Sequence, residues 1–474
     1  MTDSGKHPTD TGLKALAINL DPLRYGSFAE IGAGQEVVRW FFRVGAAAGT
    51  VAKSMSAYDM AVSDAIYGKA KRYVSRSRLE DMLEYELGLN QERLSASRGA
   101  ETAFFSFADT VSAQSFKGNP DCHAWMGVRF QKEPGTAPSQ VTLHVRLLDA
   151  ENVQQQEAIG IVGVNLIYGA FMLSHDRDRF LRSMLDGLTT RRIEIDMIEF
   201  SGAAFTEVDN RIMSLKLVEL GLTKAAMFSS GGKVLQASDA LYKKPVLVQR
   251  GSFSPPTLVH GDMHSRALDQ FSERTGIPRG DILSMAEITM SNLMTEDEGS
   301  TVLRDFLEQV DTLALVGLPC VITRYPEFYR VADYLARHTR EPIGLVMGAN
   351  ILREVFNASY YEDLPGGLLE GMGRLFKRQV RIFVHPWLEP DTKRLTTTSN
   401  LDVPDEASML YQHLLQQHQI EGIEDFDPDL LTIRSEDVRS AIRCGSDWEH
   451  LVASEVSELI RNRGFFGCPG TRGE

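Results

Sequence analysis

The sequence predicts a multi-layer α/β protein, with an antiparallel meander in its N-terminal part and a Rossmann-like parallel sheet in its C-terminal part. Three observations predict this. β-rich runs at 102–111, 123–131 and 140–148 are separated by Gly118-Asn119-Pro120 and Pro134-Gly135, the punctuation of a meander. From residue 158 onward strand-like runs alternate with helical ones, the rhythm of parallel α/β packing. Those strand-like runs are nearly continuous in Ile, Val and Leu, as strands buried on both faces require.

In chain order, residues 1–12 read as a polar tail. Residues 13–89 read as mostly helical, with Leu79, Met82, Leu83 and Leu87 recurring on one face. The meander, about 102–148, follows. Residues 159–167 read as a strand, 177–188 as a helix, 192–200 as a strand, 208–220 as a helix and 225–229 as a strand. A second series starts at Pro245, with strands at 246–249, 313–316 with 321–323, 343–347 and 380–384. Its helices are expected at 327–337 and 351–356. Roughly sixty residues separate its first two strands, more than one crossover helix needs. The pattern therefore places an inserted helical pair at 278–310, joined through the acidic stretch 295–299. The expected organisation is a tail at 1–12, an N-terminal part at 13–240, a Rossmann-like nucleotide-binding candidate domain at 241–403 and a helical extension at 404–474.

At 474 residues the chain is too long for one ordinary core. A formal net charge of -14 argues against a general nucleic-acid binder, which must replace phosphate counterions, but leaves room for a locally positive pocket. The four cysteines, Cys122, Cys320, Cys444 and Cys468, share no CxxC spacing and give no zinc signature. Residues 1–8 lack a basic-then-apolar leader pattern, and the most apolar run, 158–173, is broken by Asn165 and short of the ~20 residues that span a bilayer. The expectation is a cytoplasmic protein with no membrane partner. Homo-oligomerisation is left open.

The stretch with the most chemistry is Lys244-Pro245-Val246-Leu247-Val248-Gln249-Arg250-Gly251-Ser252-Phe253-Ser254-Pro255-Pro256-Thr257-Leu258-Val259-His260. It reads as a buried strand, a Gly/Ser/Pro turn and a helix start. Such a turn lets main-chain N–H groups approach an anion, and the helix N-terminus adds unpaired donors and a positive dipole end. Thr257 is placed to cap the helix or donate to a phosphate oxygen, and His260 lies one turn in. Lys243, Lys244 or Arg250 would neutralise charge on pyrophosphate.

These residues resemble the G-S-F-x-P-x-[TH]-x-G-H signature of nucleotidyltransferases that move AMP or CMP onto a phosphate. Gly251, Ser252, Phe253, Pro255, Thr257 and His260 match, and Val259 replaces a glycine. The resemblance implies that Thr257 and His260 hold the triphosphate while Gly251, Ser252 and Phe253 line the nucleotide. The family's second phosphate motif, I-S-S-T-x-x-R, has only a partial counterpart at Leu395-Thr396-Thr397-Thr398-Ser399, with no Arg following.

Other patterns compete. Leu258-Val259-His260-Gly261-Asp262-Met263-His264 resembles the catalytic loop of aminoglycoside-phosphotransferase-like kinases, but Ala267 stands where that family needs a magnesium-binding Asn. His260, Asp262 and His264 are weak metal candidates, because Asp262 falls on the opposite helix face and no third ligand is evident. Glu30-Ile31-Gly32-Ala33-Gly34-Gln35-Glu36 resembles a dinucleotide glycine loop without its third glycine, and reads better as a structural turn.

Over residues 14–465 the chain resembles a family of large bacterial proteins. The segments that carry this are Phe28-Ala-Glu-Ile-Gly-Ala-Gly-Gln-Glu36, Ser56-Ala-Tyr-Asp59, Leu241-Tyr-Lys-Lys-Pro245 and Gly366-Gly-Leu-Leu-Glu370. Members carry names such as nicotinate-nucleotide adenylyltransferase and TonB-dependent receptor. The second name conflicts with an α/β pattern that has no barrel periodicity. The first implies adenylyl transfer from ATP to a mononucleotide of the nicotinate or nicotinamide type, with Mg²⁺ accompanying ATP. The alternative is a non-catalytic nucleotide- or ligand-binding scaffold protein.

Overall fold

The computed structural model describes residues 7–32, 34–116, 118, 121–290, 299–377 and 379–469. Residues 1–6 of the expected tail, Ala33 of the glycine loop, Asn119-Pro120, most of the acidic stretch 295–299 and the last five residues lie outside the described ones. The chain divides into two compact units, residues 1–223 and 224–474. No described helix is long and apolar enough to cross a membrane.

In the first unit the order is α1 (Thr11–Asn19), β1 (Arg24–Ile31), α2 (Glu36–Val44), β2 (Val51–Ser56), α3 (Met60–Tyr67), α4 (Arg76–Arg98), β3 (Ala103–Ser112), β4 (His123–Phe130) and β5 (Ser139–Leu147). α5 (Asn152–Met172), α6 (Arg177–Ser183), β6 (Ile193–Ser201) and α7 (Asn210–Glu219) complete it. The six strands form one sheet in the order β2-β1-β3-β4-β5-β6. β3, β4 and β5 are antiparallel neighbours, as the meander predicted, whereas β6, expected in a parallel α/β series, joins the same sheet antiparallel to β5. β1 lies parallel to both β2 and β3. Residues 13–89 hold the four helices α1 to α4, as expected, and also two strands that the pattern did not predict, of which β1 is buried along most of its length.

A second correction concerns residues 159–167, expected as a strand. They sit inside α5, whose residues 158–170 are all buried. α5 packs on the sheet with Ile18, Val37 and Phe41 of the neighbouring helices, so it is apolar all round and loses the helical period that would betray it. The glycine loop after β1 does start a helix. Its anion position is filled by the chain itself, because the Glu30 carboxylate accepts the backbone N–H groups of Val37 and Val38 at 2.9 and 3.0 Å.

In the second unit the order is β7 (Ala225–Phe228), β8 (Val234–Leu235), α8 (Ala237–Ala240), β9 (Val246–Arg250), α9 (Leu258–Thr275), β10 (Leu283–Thr289), α10 (Gly299–Leu315), β11 (Cys320–Thr323), α11 (Phe328–His338) and β12 (Ile343–Gly348). Then come α12 (Ala349–Val355), α13 (Gly367–Leu375), β13 (Val380–His385), β14 (Trp387–Leu388), β15 (Leu395–Thr396), α14 (Ser408–Gln416), β16 (Ile420–Gly422), α15 (Ser435–Cys444) and α16 (Ser454–Arg463). The main sheet runs β16-β13-β12-β9-β10-β11-β7-β8. Its six strands from β16 to β11 are parallel. Read from β11, their order is that of a doubly wound sheet: the chain builds outward from β9 through β10 to β11, then returns to β12 on the other side of β9. The switch in direction falls between β9 and β12.

β10 corrects the expected helical pair at 278–310. Leu283–Thr289 pairs with both β9 and β11, which removes the overlong connection. Alternation along β9 sorts its side chains between two helical layers. Val246 and Val248 pack towards Tyr329, Val331 and Leu335 of α11, whereas Leu247 meets Ala267 and Phe271 of α9. Gly344 of β12 is needed here, because a Cβ on it would come within 2.5 Å of Leu247 and 3.3 Å of Phe271.

Candidate functional site

The Gly251 turn leaves the carboxyl end of β9, the strand at the switch point, and feeds α9. In open α/β sheets this is the crevice where ligands bind. The turn is built from constrained pieces. Gly251 donates its N–H to the Glu287 carbonyl at 3.1 Å, tying the turn to β10. Phe253 adopts φ +45° with its side chain buried, and its ring lies 4.8 Å from that of His260. A Cβ on Gly251 would sit 3.1 Å from the Phe253 ring, so this position has no room for a larger side chain unless the ring moves.

Thr257 is the N-cap of α9, and with His260 it forms a capping box. The Thr257 backbone N–H donates to His260 Nδ1 at 3.1 Å, and the Thr257 hydroxyl lies 2.9 Å from the same nitrogen. A backbone N–H can only donate, so Nδ1 is the acceptor and the neutral ring carries its proton on Nε2. Burial, with His385 nearby, lowers the His260 pKa to about 4. At neutral pH His260 is therefore an uncharged donor through Nε2–H, suited to a phosphate oxygen and unsuited to act as a general acid.

The structure brings Gly251, Phe253, Thr257 and His260 together, with Ser252 exposed on the same turn. It does not bring the expected cations. Lys244 precedes the amino end of β9, and the five strand residues between them, at ~3.3 Å each, alone separate it from Gly251 by roughly 16 Å. Lys243 lies beside it at φ +52° and is exposed. Arg250 is spent elsewhere. Its Nε pairs with Glu287 of β10, its Nη2 donates to Glu287 at 3.1 Å and to the Tyr325 carbonyl at 2.8 Å, and its Nη1 donates to the Pro326 carbonyl at 2.6 Å. The guanidinium also lies 4.1 Å above the Phe328 ring. This is a clamp across β9, β10 and the loop after β11.

Arg439, Ser435 and His385, which reach the turn or its helix from distant elements, escaped the sequence reading. Arg439 of α15 donates to Ser254 Oγ at 2.9 Å and pairs with Asp305 of α10, while the Ser435 hydroxyl donates to the Pro255 carbonyl at 3.2 Å. A cation therefore reaches the turn from 185 residues away in sequence. Asp262, in the first turns of α9, lies 3.4 Å from His385 Nε2 at the end of β13, and also accepts from Arg266 and the Asp427 backbone. Gln249, fully buried on β9, donates to Met263 Sδ at 3.3 Å, and its Oε1 has no partner among the described residues. Only a strand-order argument could have flagged His385, as a polar residue at the carboxyl end of a parallel strand.

A cavity of about 510 Å³ opens between α9 and β16, lined by charged residues that include Arg266, Glu273, Arg274 and Glu421, and it contains none of the turn residues.

No family model matches the chain, and no curated protein matches it in sequence. Among solved structures, a competence-damaged protein (CinA) superfamily protein from Enterobacter cloacae is 12% identical, covering 36% of this chain and 99% of its own, at a TM-score of 0.26. The competence/damage inducible protein CihA from Agrobacterium tumefaciens is 15% identical over 34% of this chain and 96% of its own, at 0.25. A Vibrio parahaemolyticus protein provisionally named nicotinate-nucleotide adenylyltransferase is 15% identical over 47% of this chain and 95% of its own, at 0.19. Likeness at this level carries no argument about function.

Proposed function

We propose that the second unit binds a nucleoside triphosphate at the Gly251 turn and transfers its adenylyl group to a mononucleotide of the nicotinate or nicotinamide type. The observation that supports the reading is the position of the turn: a strand–turn–helix with a phosphate-cradle composition, at the switch point of a doubly wound sheet. In the proposed step a phosphate oxygen of the mononucleotide attacks the α-phosphorus of ATP. The bond to the bridging oxygen breaks, and pyrophosphate leaves in line. Such a reaction needs positioning and charge stabilisation more than protein acid–base chemistry. Ser252 and the amino end of α9 would receive phosphate oxygens, His260 would donate Nε2–H, and Arg439 would supply the cation that Arg250 does not. Among the described residues no three His, Cys, Asp or Glu side chains form a metal cage. Mg²⁺ would enter as part of the substrate, MgATP, and supply charge neutralisation there.

One observation favours a second reading, a non-catalytic nucleotide- or ligand-binding scaffold. The polar groups of the turn are largely satisfied within the protein: Thr257 and His260 cap one another, and Ser254 and Pro255 are held by α15. Pyrophosphate release from ATP and nicotinate mononucleotide separates the two. The transferase reading expects release that falls about 10²-fold in kcat/KM in His260→Ala, the scale of losing one donor to developing charge. No release in the intact protein, or unchanged turnover in His260→Ala, defeats it.

A further inference from the structure

We propose that the first unit carries a general-base site of its own on the sheet face that bears α4, built on Asp196, His144 and His123 and suited to hydrolysis of small carboxylic esters. His144 Nδ1 lies 2.5 Å from Asp196 Oδ1, and His144 Nε2 lies 3.0 Å from His123 Nδ1. An ionised Asp196 only accepts, so His144 carries its proton on Nδ1 and offers Nε2 as acceptor. His123 must then donate through Nδ1. The relay fixes both tautomers and leaves the His123 Nε2 lone pair at its outer end, where no described residue hydrogen-bonds to it.

The β5–β6 pairing carries this arrangement. The β5–β6 register pairs His144 with Met197 and Val145 with Ile195, so Asp196 is the extra residue of a bulge. Arg146 pairs with Glu194, and the period-2 alternation of both strands puts Glu194 and Asp196 on the face of Arg146 and His144, where Glu194 meets Arg146 and Asp196 meets His144. His144 is held further by the Trp125 ring at 4.8 Å and is buried, whereas His123, at the first position of β4, is partly exposed. Arg146 stands opposite His123 across the β4–β5 pair and gives one nitrogen to Glu194 at 2.6 Å. Burial is the largest influence on His123 and lowers its pKa, with His144 and Arg72 acting the same way and Asp121 and Asp196 opposing them, while Arg146 faces it across the strand pair. A neutral base and a guanidinium thus stand side by side.

In the proposed step His123 Nε2 takes a proton from water and the water oxygen bonds to the ester carbonyl carbon. Arg146 stabilises the charge on the carbonyl oxygen. The C–O bond to the leaving alcohol breaks, and that oxygen takes the proton back from Nε2. The roles follow the usual division between a base, its orienting partner and an oxyanion donor.

The test is hydrolysis of 4-nitrophenyl acetate by the full chain. His123→Gln should lower the protein-dependent rate by about tenfold or more, within the range of a positioned base. Asp196→Asn should lower it while the KM is kept, since Asn no longer fixes the His144 tautomer. His450→Gln, an exposed histidine of the other unit, should leave it unchanged. An unchanged rate in His123→Gln overturns the proposal. If that variant does not fold, nitrogen-15 NMR of the intact protein decides: a neutral His123 protonated on Nδ1 supports the relay, and one protonated on Nε2 overturns it.

Discussion

Replacing Arg250 by Met separates a structural cation from a substrate-binding one. The methionine keeps an unbranched stem over Phe328 and removes the guanidinium. Glu287, essentially fully buried, then loses its paired charge and keeps, among the described residues, the Thr323 hydroxyl at 2.6 Å. The carbonyls of Tyr325 and Pro326 lose their donors as well. Removing one partner of a buried ion pair costs about 3–5 kcal/mol, because the remaining charge has nowhere to go. Urea unfolding of the full chain, followed through Trp387 and Trp448 of the second unit, measures the loss. With a slope of about 2 kcal/mol/M the midpoint of that unit should fall by roughly 1.5–2.5 M. Arg250→Met combined with Glu287→Leu should recover most of the loss, since the orphaned carboxylate is gone. A midpoint shift under ~0.5 M together with a tenfold weaker ATP affinity would refute the clamp and return Arg250 to the ligand.

Arg439→Met should weaken ATP binding about tenfold, or roughly 1.4 kcal/mol, while Lys244→Ala leaves it unchanged; equal effects in isothermal titration would refute the assignment of the cation. Glu30 and Asp109 stand side by side on β1 and β3, and burial raises both, Glu30 to about 7. The folded pKa exceeds the unfolded value, so this pair favours folding below about pH 4.5 and loses that contribution as pH rises to 7, on the order of 3 kcal/mol. Asp109→Asn should flatten this slope and stabilise the first unit at pH 8; an unchanged slope in urea unfolding between pH 5 and 8 would contradict it. Thr257→Ala removes the cap of α9 and should cost about 1 kcal/mol, read by the same unfolding.

What could be read from the sequence follows from which residues report their own surroundings. β9 and α9 were legible because Val246 to Gln249 is a compact apolar run ended by glycine and proline. The meander was legible because its turns are marked. β1 was hidden by Gly26 and Glu30, which serve a buried parallel strand and a helix cap rather than the usual alternation. β10 was hidden by Met285, Ala286 and Glu287, helix-favouring residues placed in a strand by the pairing on both sides. Local pattern also gave the turn but not its charges. Arg250 looked free because Glu287 is 37 residues away, and Arg439 and His385 reach the site only through the fold.

The central claim is that the Gly251 turn holds a nucleotide, and thermal unfolding of the full chain with MgATP, CTP and nicotinate mononucleotide tests it without assuming a reaction. At a hundred times its Kd, MgATP should stabilise the second unit by about 2.7 kcal/mol, a shift of roughly 5–10 °C for a unit of this size. The shift should vanish in Gly251→Val, whose side chain would press into the Phe253 ring and cover the backbone N–H groups of the turn. A flat melting curve with all three ligands, or a shift that survives Gly251→Val, contradicts the account.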